Sequence, residues 1–132
     1  MIFVDTSVWV ALRNRQDGHH MEAVALLRLR ADSGLATSNQ IRGETWTFLR
    51  RRVGHGSAVG FLDSLERSAR IQLLMVIEKL EGEALRWLRL HDEREYSFVD
   101  ATSFALMRSL RMREALAFDG DFAAAGFIEL RA

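Results

Sequence analysis

Apolar residues fall along this chain in two alternating patterns. Short continuous runs read as buried strands, and stripes spaced i, i+3, i+4 read as helices with one face inward. Met1 to Asp5 is the first run, β-branched and aromatic and closed by an acid. Thr6 and Ser7 form an N-cap pair that opens a helix. Asp17-Gly18 marks a turn, and His19 to Asp32 carries a stripe of Ala23, Leu26, Leu27 and Leu29 that Gly34 closes. Leu35 to Ser38 is a very short strand, and Asn39 to Val53 is helical through Ile41, Thr45, Phe48 and Leu49. Gly54-His55-Gly56 breaks that helix, and Ala58 to Ala69 forms the next. Ile71 to Ile77 is a strand of continuous apolar character. Glu78 to His91 is amphipathic, with Leu80, Ala84, Trp87 and Leu88 on one face. Ser97 to Leu110 is another helix, Ala115 to Phe118 a strand, and Phe127 to Leu130 a last one.

Strands alternating with helices predict an α/β fold: a central, mainly parallel sheet of four to five strands between two layers of helices, joined by right-handed crossovers. Ligands in such sheets bind at the carboxyl ends of the strands, near a switch in strand order. A length of 132 residues fits a single domain over 1–132. No stretch approaches the ~18 apolar residues of a membrane helix. The start, MIFVDTSVWV, lacks a basic region and meets an acid at Asp5, so it does not read as a signal peptide. The expectation is a soluble, cytoplasmic protein that engages no membrane. The absence of cysteine rules out a disulfide scaffold, a thiolate zinc site and a cysteine nucleophile.

Five acids sit beside apolar sequence where acids are costly. Asp5 ends the first strand, and Asp119 and Asp121 follow the strand ending in Phe118. Asp100 lies in the first turn of a helix, in YSFVDATSFALM, and Glu44 in an early turn, in SNQIRGETWTFL. Each has an ordinary reading alone: Asp5 as a cap, Asp100 as a complement to the helix dipole, Glu44 as an early-turn glutamate, Asp119-Gly120 as a turn. Together they bring carboxylates from four segments towards one sheet edge. Buried carboxylates need partners or a cation, and several at one edge raise one another's pKa. A hard divalent cation relieves that, and Mg²⁺ or Mn²⁺ among carboxylates serves phosphoryl chemistry.

The net charge of zero conceals an asymmetry. Seventeen of the 18 basic residues are arginine, and Lys79 is the one lysine, which disfavours lysine chemistry. Without the five acids, 13 acidic residues stand against 18 basic ones. Arg50, Arg51 and Arg52, with His55 nearby, end the helix that carries Glu44. They are candidate RNA-binding residues, or else a solvated helix end.

FVDTSVWVAL, GETWTFL, SFVDATSFALM and AFDGDF, in that order, resemble the PIN-domain ribonucleases, and within them the VapC toxins of bacterial toxin–antitoxin modules. The resemblance covers essentially the whole chain. It implies that Asp5, Glu44 and Asp100 are the three most regular catalytic and metal-binding acids. The fourth would come from Asp119 or Asp121, with Asp119 favoured because it follows the strand directly. Thr6 or Ser7 would hold a metal-bound water or the phosphate. It further implies a PIN-like α/β/α fold, a homodimer, a VapB-type antitoxin partner, and Mg²⁺-dependent cleavage of RNA with Mn²⁺ as a substitute. The expected products carry a 5′-phosphate and a 3′-hydroxyl. The wording of GETWTFLRRR and HDEREYSFVDATSFALM is most like the subgroup that cuts the sarcin–ricin loop of 23S rRNA, which would inhibit translation. Other VapC toxins cut tRNA, and nothing physical in the chain separates the two targets.

Other features have plainer readings. GHGSAVG follows a helix rather than a strand and reads as an interhelical turn, not a phosphate loop. His19-His20 lacks further ligands at metal-binding spacing. Trp9, Trp46 and Trp87 lie on apolar faces and belong to the core before they belong to an RNA surface. Leu26 and Leu27 are a candidate dimer face. A phosphatase DxD motif would need a second acid where Ser7 stands. A catalytically silent PIN module, acting by protein contact alone, is opposed by the presence of all the acids.

Overall fold

The element order in the computed structural model, which describes residues 1–132, follows the alternation of the sequence. Five strands are β1 (Ile2–Val4), β2 (Leu35–Ser38), β3 (Ile71–Leu74), β4 (Glu114–Leu116) and β5 (Ile128–Glu129). Seven helices are α1 (Thr6–Arg13), α2 (His20–Arg30), α3 (Asn39–Arg52), α4 (His55–Arg67), α5 (Glu78–Leu90), α6 (Phe98–Ser109) and α7 (Asp121–Ala124). The strands form one parallel sheet in the order β3-β2-β1-β4-β5. The chain winds outwards from β1 through β2 to β3, then returns to lay β4 on the other side of β1. The strand order therefore switches between β1 and β4, and both strands deliver their carboxyl ends to that point.

Central strands of a parallel sheet are covered on both faces and are apolar throughout. Ile2, Phe3 and Val4 are accordingly all buried. Thr37 on β2 is also fully buried, with its hydroxyl satisfied: it donates to the Val4 carbonyl at 3.0 Å and accepts from the Trp9 indole at 3.3 Å. Twenty-eight buried apolar residues form one continuous core. Beneath α6, Phe104 sits at the centre of an aromatic cluster, its ring 5.0 Å from Phe122, 5.2 Å from Trp87, 5.5 Å from Phe127 and 5.7 Å from Tyr96.

Several boundaries differ from the apolar pattern for definite reasons. β3 stops at Leu74 rather than Ile77, because its one neighbour, β2, ends at Ser38 opposite Leu74. Beyond that point Val76 N–H donates to the Asn39 side chain at 2.7 Å instead of to a strand. The cap of α1 is Asp5 itself, not the Thr6-Ser7 pair. The break between α3 and α4 is confined to Val53 and Gly54, whose φ of +140° suits glycine, so His55 and Gly56 are already helical. α7 is too short for periodicity to reveal. Trp9 lies in the core, as expected; of the candidate dimer-face pair, Leu26 is fully buried and Leu27 is half-buried against the core.

Replacing Phe104 by alanine should lower stability by about 3–5 kcal/mol, since the ring leaves a cavity at the junction of α5, α6 and α7. Urea unfolding of the two proteins measures this; a loss below about 1 kcal/mol would place the stabilising contacts elsewhere.

Candidate active site

Asp5 is the first residue beyond β1 and is 3% exposed. Its Oδ2 accepts from the Ser7 N–H at 3.1 Å and from the Ser7 hydroxyl at 2.7 Å. The same hydroxyl accepts from the Phe118 N–H at 3.1 Å. Ser7 thus braces the end of β1 against the segment leaving β4, and its one hydroxyl proton is committed to Asp5. Thr6, also buried, is met by the Thr45 hydroxyl at 3.4 Å.

Asp100 is the third residue of α6 and closes a capping box. Its Oδ2 accepts from Ser97 N–H at 3.0 Å, while Ser97 Oγ accepts from Asp100 N–H at 2.9 Å. The cap engages one carboxylate oxygen, so the bland role and the site role coexist. β4 ends at Leu116, two residues before Phe118, and the chain then turns through Gly120 at φ +82°. That turn presents Asp119 and, as the first residue of α7, Asp121; Asp119 Oδ1 accepts from Asp121 N–H at 3.2 Å.

These side chains line one cleft of about 500 Å³ at the switch point, with Glu44 of α3 on its wall. Carboxylate oxygens of Asp100, Asp119 and Asp121 lie within 4.8 Å of one another. Asp5 is close enough to Asp119 and Asp100 to feel their charges, and Glu44 lines the same cleft. The closest trio therefore contains both acids of AFDGDF, the favoured Asp119 and Asp121 beside it.

Electrostatics follow from the crowding. Burial pushes the Asp5 carboxyl up to about 8; the Asp119 charge adds to this, the Ser7 bonds oppose it, and Asp100 adds a smaller push. Burial pushes Asp100 up to about 6 against its bond from Ser97, with Asp121 and Asp119 adding repulsion. Asp119 is raised by burial and by the neighbouring Asp121. Such a group cannot ionise together cheaply unless positive charge enters. The trio offers only carboxylate oxygen, which fits a hard divalent cation rather than a soft one.

Two other sequence features resolve differently. His19 and His20 separate: His20 Nδ1 contacts the Ala11 carbonyl at 2.8 Å, while His19 enters the cleft wall, stacked on Phe118 at 4.4 Å. The Arg50–Arg52 run divides as well. Arg51 and Arg52 line a second groove of about 460 Å³ that shares Glu44 and Phe48 with the acidic cleft, and the Arg52 guanidinium lies 5.0 Å over the Phe48 ring. Arg50 is exposed and lines neither. The sequence pattern does not reveal His19, Phe48, Phe118, Asp17 and Glu95 as lining residues. Phe48 and Phe118 read as ordinary core positions, and no spacing marks the others.

The doubly wound parallel sheet gathers these carboxylates at its switch point, and residues 2–128 match the PIN domain family; the chain belongs to that family. It is 51% identical over 131 residues, covering 99% of its length and 98% of the relative's, to the 23S rRNA-specific endonuclease VapC20 of Mycobacterium tuberculosis. Against the crystal structure of that protein, described as a sarcin–ricin loop cleaving toxin, it has a TM-score of 0.93 at 49% identity, with both chains fully covered. Against VapBC2 from Rickettsia felis, bound to a DNA fragment from their promoter, the TM-score is 0.72 at 15% identity, with 98% of each chain covered, a likeness of fold alone.

With divalent cations removed, stability should fall as pH rises from about 4 to about 8. Both raised carboxyls stay neutral in the folded chain over a range where unfolded carboxyls ionise, so their contribution is full below the unfolded value and lost through the folded one. Asp100 contributes to the loss up to about pH 6, and Asp5 up to about pH 8. Asp5→Asn cannot ionise, so its stability should be flatter than the parent's above about pH 6. Thermal unfolding in EDTA at a series of pH values tests this; parallel profiles would mean that Asp5 does not titrate there.

Proposed function

We propose that this chain is the toxin of a VapBC-type toxin–antitoxin module, an endoribonuclease that hydrolyses a phosphodiester bond in the sarcin–ricin loop of 23S rRNA and so inhibits translation. The observation that carries the reading is the convergence of Asp5, Glu44, Asp100, Asp119 and Asp121 from four segments into one cleft. Near-complete coverage at 51% identity to an endonuclease named for 23S rRNA supports the choice of target.

Asp100, Asp119 and Asp121 would hold Mg²⁺, or Mn²⁺ in its place, with Asp5 beside them. The bound cation would activate water and stabilise charge on the scissile phosphate. Asp5, clamped by Ser7, keeps a fixed carboxylate at the back of the cleft. Glu44, which lines the same cleft, would orient a water or take up its proton. Thr6 and Ser7 hold the floor of the cleft by tying β1 to its neighbours. Arg51 and Arg52 lead the RNA backbone away along α3, and Phe48 offers a ring for an unstacked base. Water attack in this frame leaves a 5′-phosphate and a 3′-hydroxyl. The VapC family carries with it a VapB-type antitoxin partner and a homodimeric state. Ribosomes place the action in the cytoplasm, and no helix is long and apolar enough to cross a membrane.

Asp5→Asn should remove cleavage while leaving the circular dichroism spectrum unchanged. Incubation with ribosomes and, separately, total tRNA, in Mg²⁺ and in EDTA, with 5′ ends mapped, is the test. Mg²⁺-dependent cuts in 23S rRNA that the variant lacks are expected; cuts in tRNA alone would replace the target, and a fully active folded variant would overturn the site. The double change Arg51→Ala and Arg52→Ala should weaken RNA binding and flatten its salt dependence by about 0.7 log units per lost phosphate contact. Arg50→Ala should leave the slope unchanged. A slope in the double variant no flatter than that of Arg50→Ala would move the RNA track elsewhere.

A further inference from the structure

The acids of the cleft belong to separate segments, and one exposed arginine ties two of those segments together. Arg94 lies in the connection between α5 and α6. Its guanidinium reaches Asp121 Oδ1 twice, from Nε at 3.0 Å and from a terminal nitrogen at 2.9 Å. That terminal nitrogen also donates to the Asp119 backbone carbonyl at 3.4 Å. The connection is anchored on its other side as well. Tyr96 packs edge-on against Trp87 and Phe104, and Ser97 caps the helix that carries Asp100. Arg94 therefore fastens the Asp119–Asp121 turn to the segment that leads into Asp100.

The geometry of the pair matters more than its charge. Both nitrogens converge on one oxygen of Asp121, and Oδ2 takes no hydrogen bond from Arg94. With the arginine in place, the three carboxylates still gather within 4.8 Å. An ordinary exposed ion pair contributes little to stability, but a partner that orients a ligating carboxylate commonly sets metal affinity.

We propose that Arg94 is a positioning residue of the cleft: by holding Oδ1 of Asp121 and the Asp119 carbonyl, it aims the free oxygen of Asp121 at the position a divalent cation shares with Asp100 and Asp119. The proposal rests on reading the cleft as a divalent-cation site. It assigns Arg94 to the protein's own acids rather than to RNA, and it makes the short stretch Arg94–Asp100 a single unit that supplies one ligand and orients another.

Calorimetric titration with Mn²⁺ alone, without RNA, is the test. Arg94→Ala should bind Mn²⁺ about tenfold or more weakly than the parent. Its melting temperature in EDTA should lie close to the parent's, because the side chain is exposed; Arg94→Gln serves as a second variant of the same kind. Arg94→Lys, which can still reach Oδ1 with one ammonium, should recover part of the affinity. Asp121→Asn should weaken binding at least as much, and Arg94→Ala added to it should cost less than it does alone, because the arginine's two shortest contacts are to that carboxylate. Unchanged or tighter Mn²⁺ binding in Arg94→Ala would overturn the proposal and make the arginine a competitor of the cation. Losses that multiply in the double variant would overturn it too. Failure of the parent itself to bind Mn²⁺ would instead sink the cation-site reading, and the role of Arg94 with it.

Discussion

Mutual repulsion among carboxylates gathered where β1 and β4 end is the constraint around which the rest of this structure is arranged. Asp5 is almost wholly buried, and burial is the main reason its carboxyl is lifted to about 8. A buried acid in that condition would ordinarily be replaced or paired with a base. Here the nearest stabilising groups are neutral: the N–H and the hydroxyl of Ser7. They orient the carboxylate without neutralising it. The chain thus keeps at its centre an acid that stays neutral near pH 7 unless positive charge enters, and groups displaced in this way are where function is found.

The strand order turns this local cost into a site. In a parallel sheet every strand ends at the same edge, but only at the switch point do connections diverge and leave a crevice. Val4 stands opposite Leu116 in register, and Asp5 N–H donates to the Leu116 carbonyl at 3.0 Å. The two strand ends are thereby held level, and the segments leaving them must face each other. Asp5 leaves β1; the turn carrying Asp119 and Asp121 leaves β4. α6 adds Asp100 because its capping box fixes the first turn of the helix against the same edge. Hydrogen bonds that look like routine capping are the means by which the acids are held at their separation.

How far this was legible in the sequence depends on the range of the signal. The strand β1 and the helices α3, α5 and α6 announce themselves by period, because each buries a whole face. The convergence of the acids was legible because each interrupts an apolar context at a strand end or first helical turn. The extent of β3 was not, since an edge strand ends where its neighbour ends, and Ser38 is far away in sequence. α7 spans a single turn and has no period to show. The membership of the closest trio was hidden as well. The motif AFDGDF favours Asp119 as the first acid after the strand, and the turn through left-handed Gly120 brings Asp121 into the same cleft. Arg94 was invisible for the same reason: its meaning lies in a contact with a residue 27 positions away.

The separation of charge across the surface then explains why a chain with no net charge can suit a polyanion. A phosphate backbone approaching Asp100, Asp119 and Asp121 meets repulsion, and approaching Arg51 and Arg52 meets attraction, within two grooves that share Glu44 and Phe48. The cation that relieves the repulsion among the acids is also what makes their cleft habitable for a phosphate. On the proposed function, metal loading and RNA binding at the cleft would be one electrostatic problem, while the positive charge of the groove along α3 is present whether or not the cleft is loaded. On that proposal, sequence-independent attraction would fall to α3 and chemistry to the strand ends. Their boundary is Glu44, a carboxylate held one helical turn from Phe48 on the same α3 face.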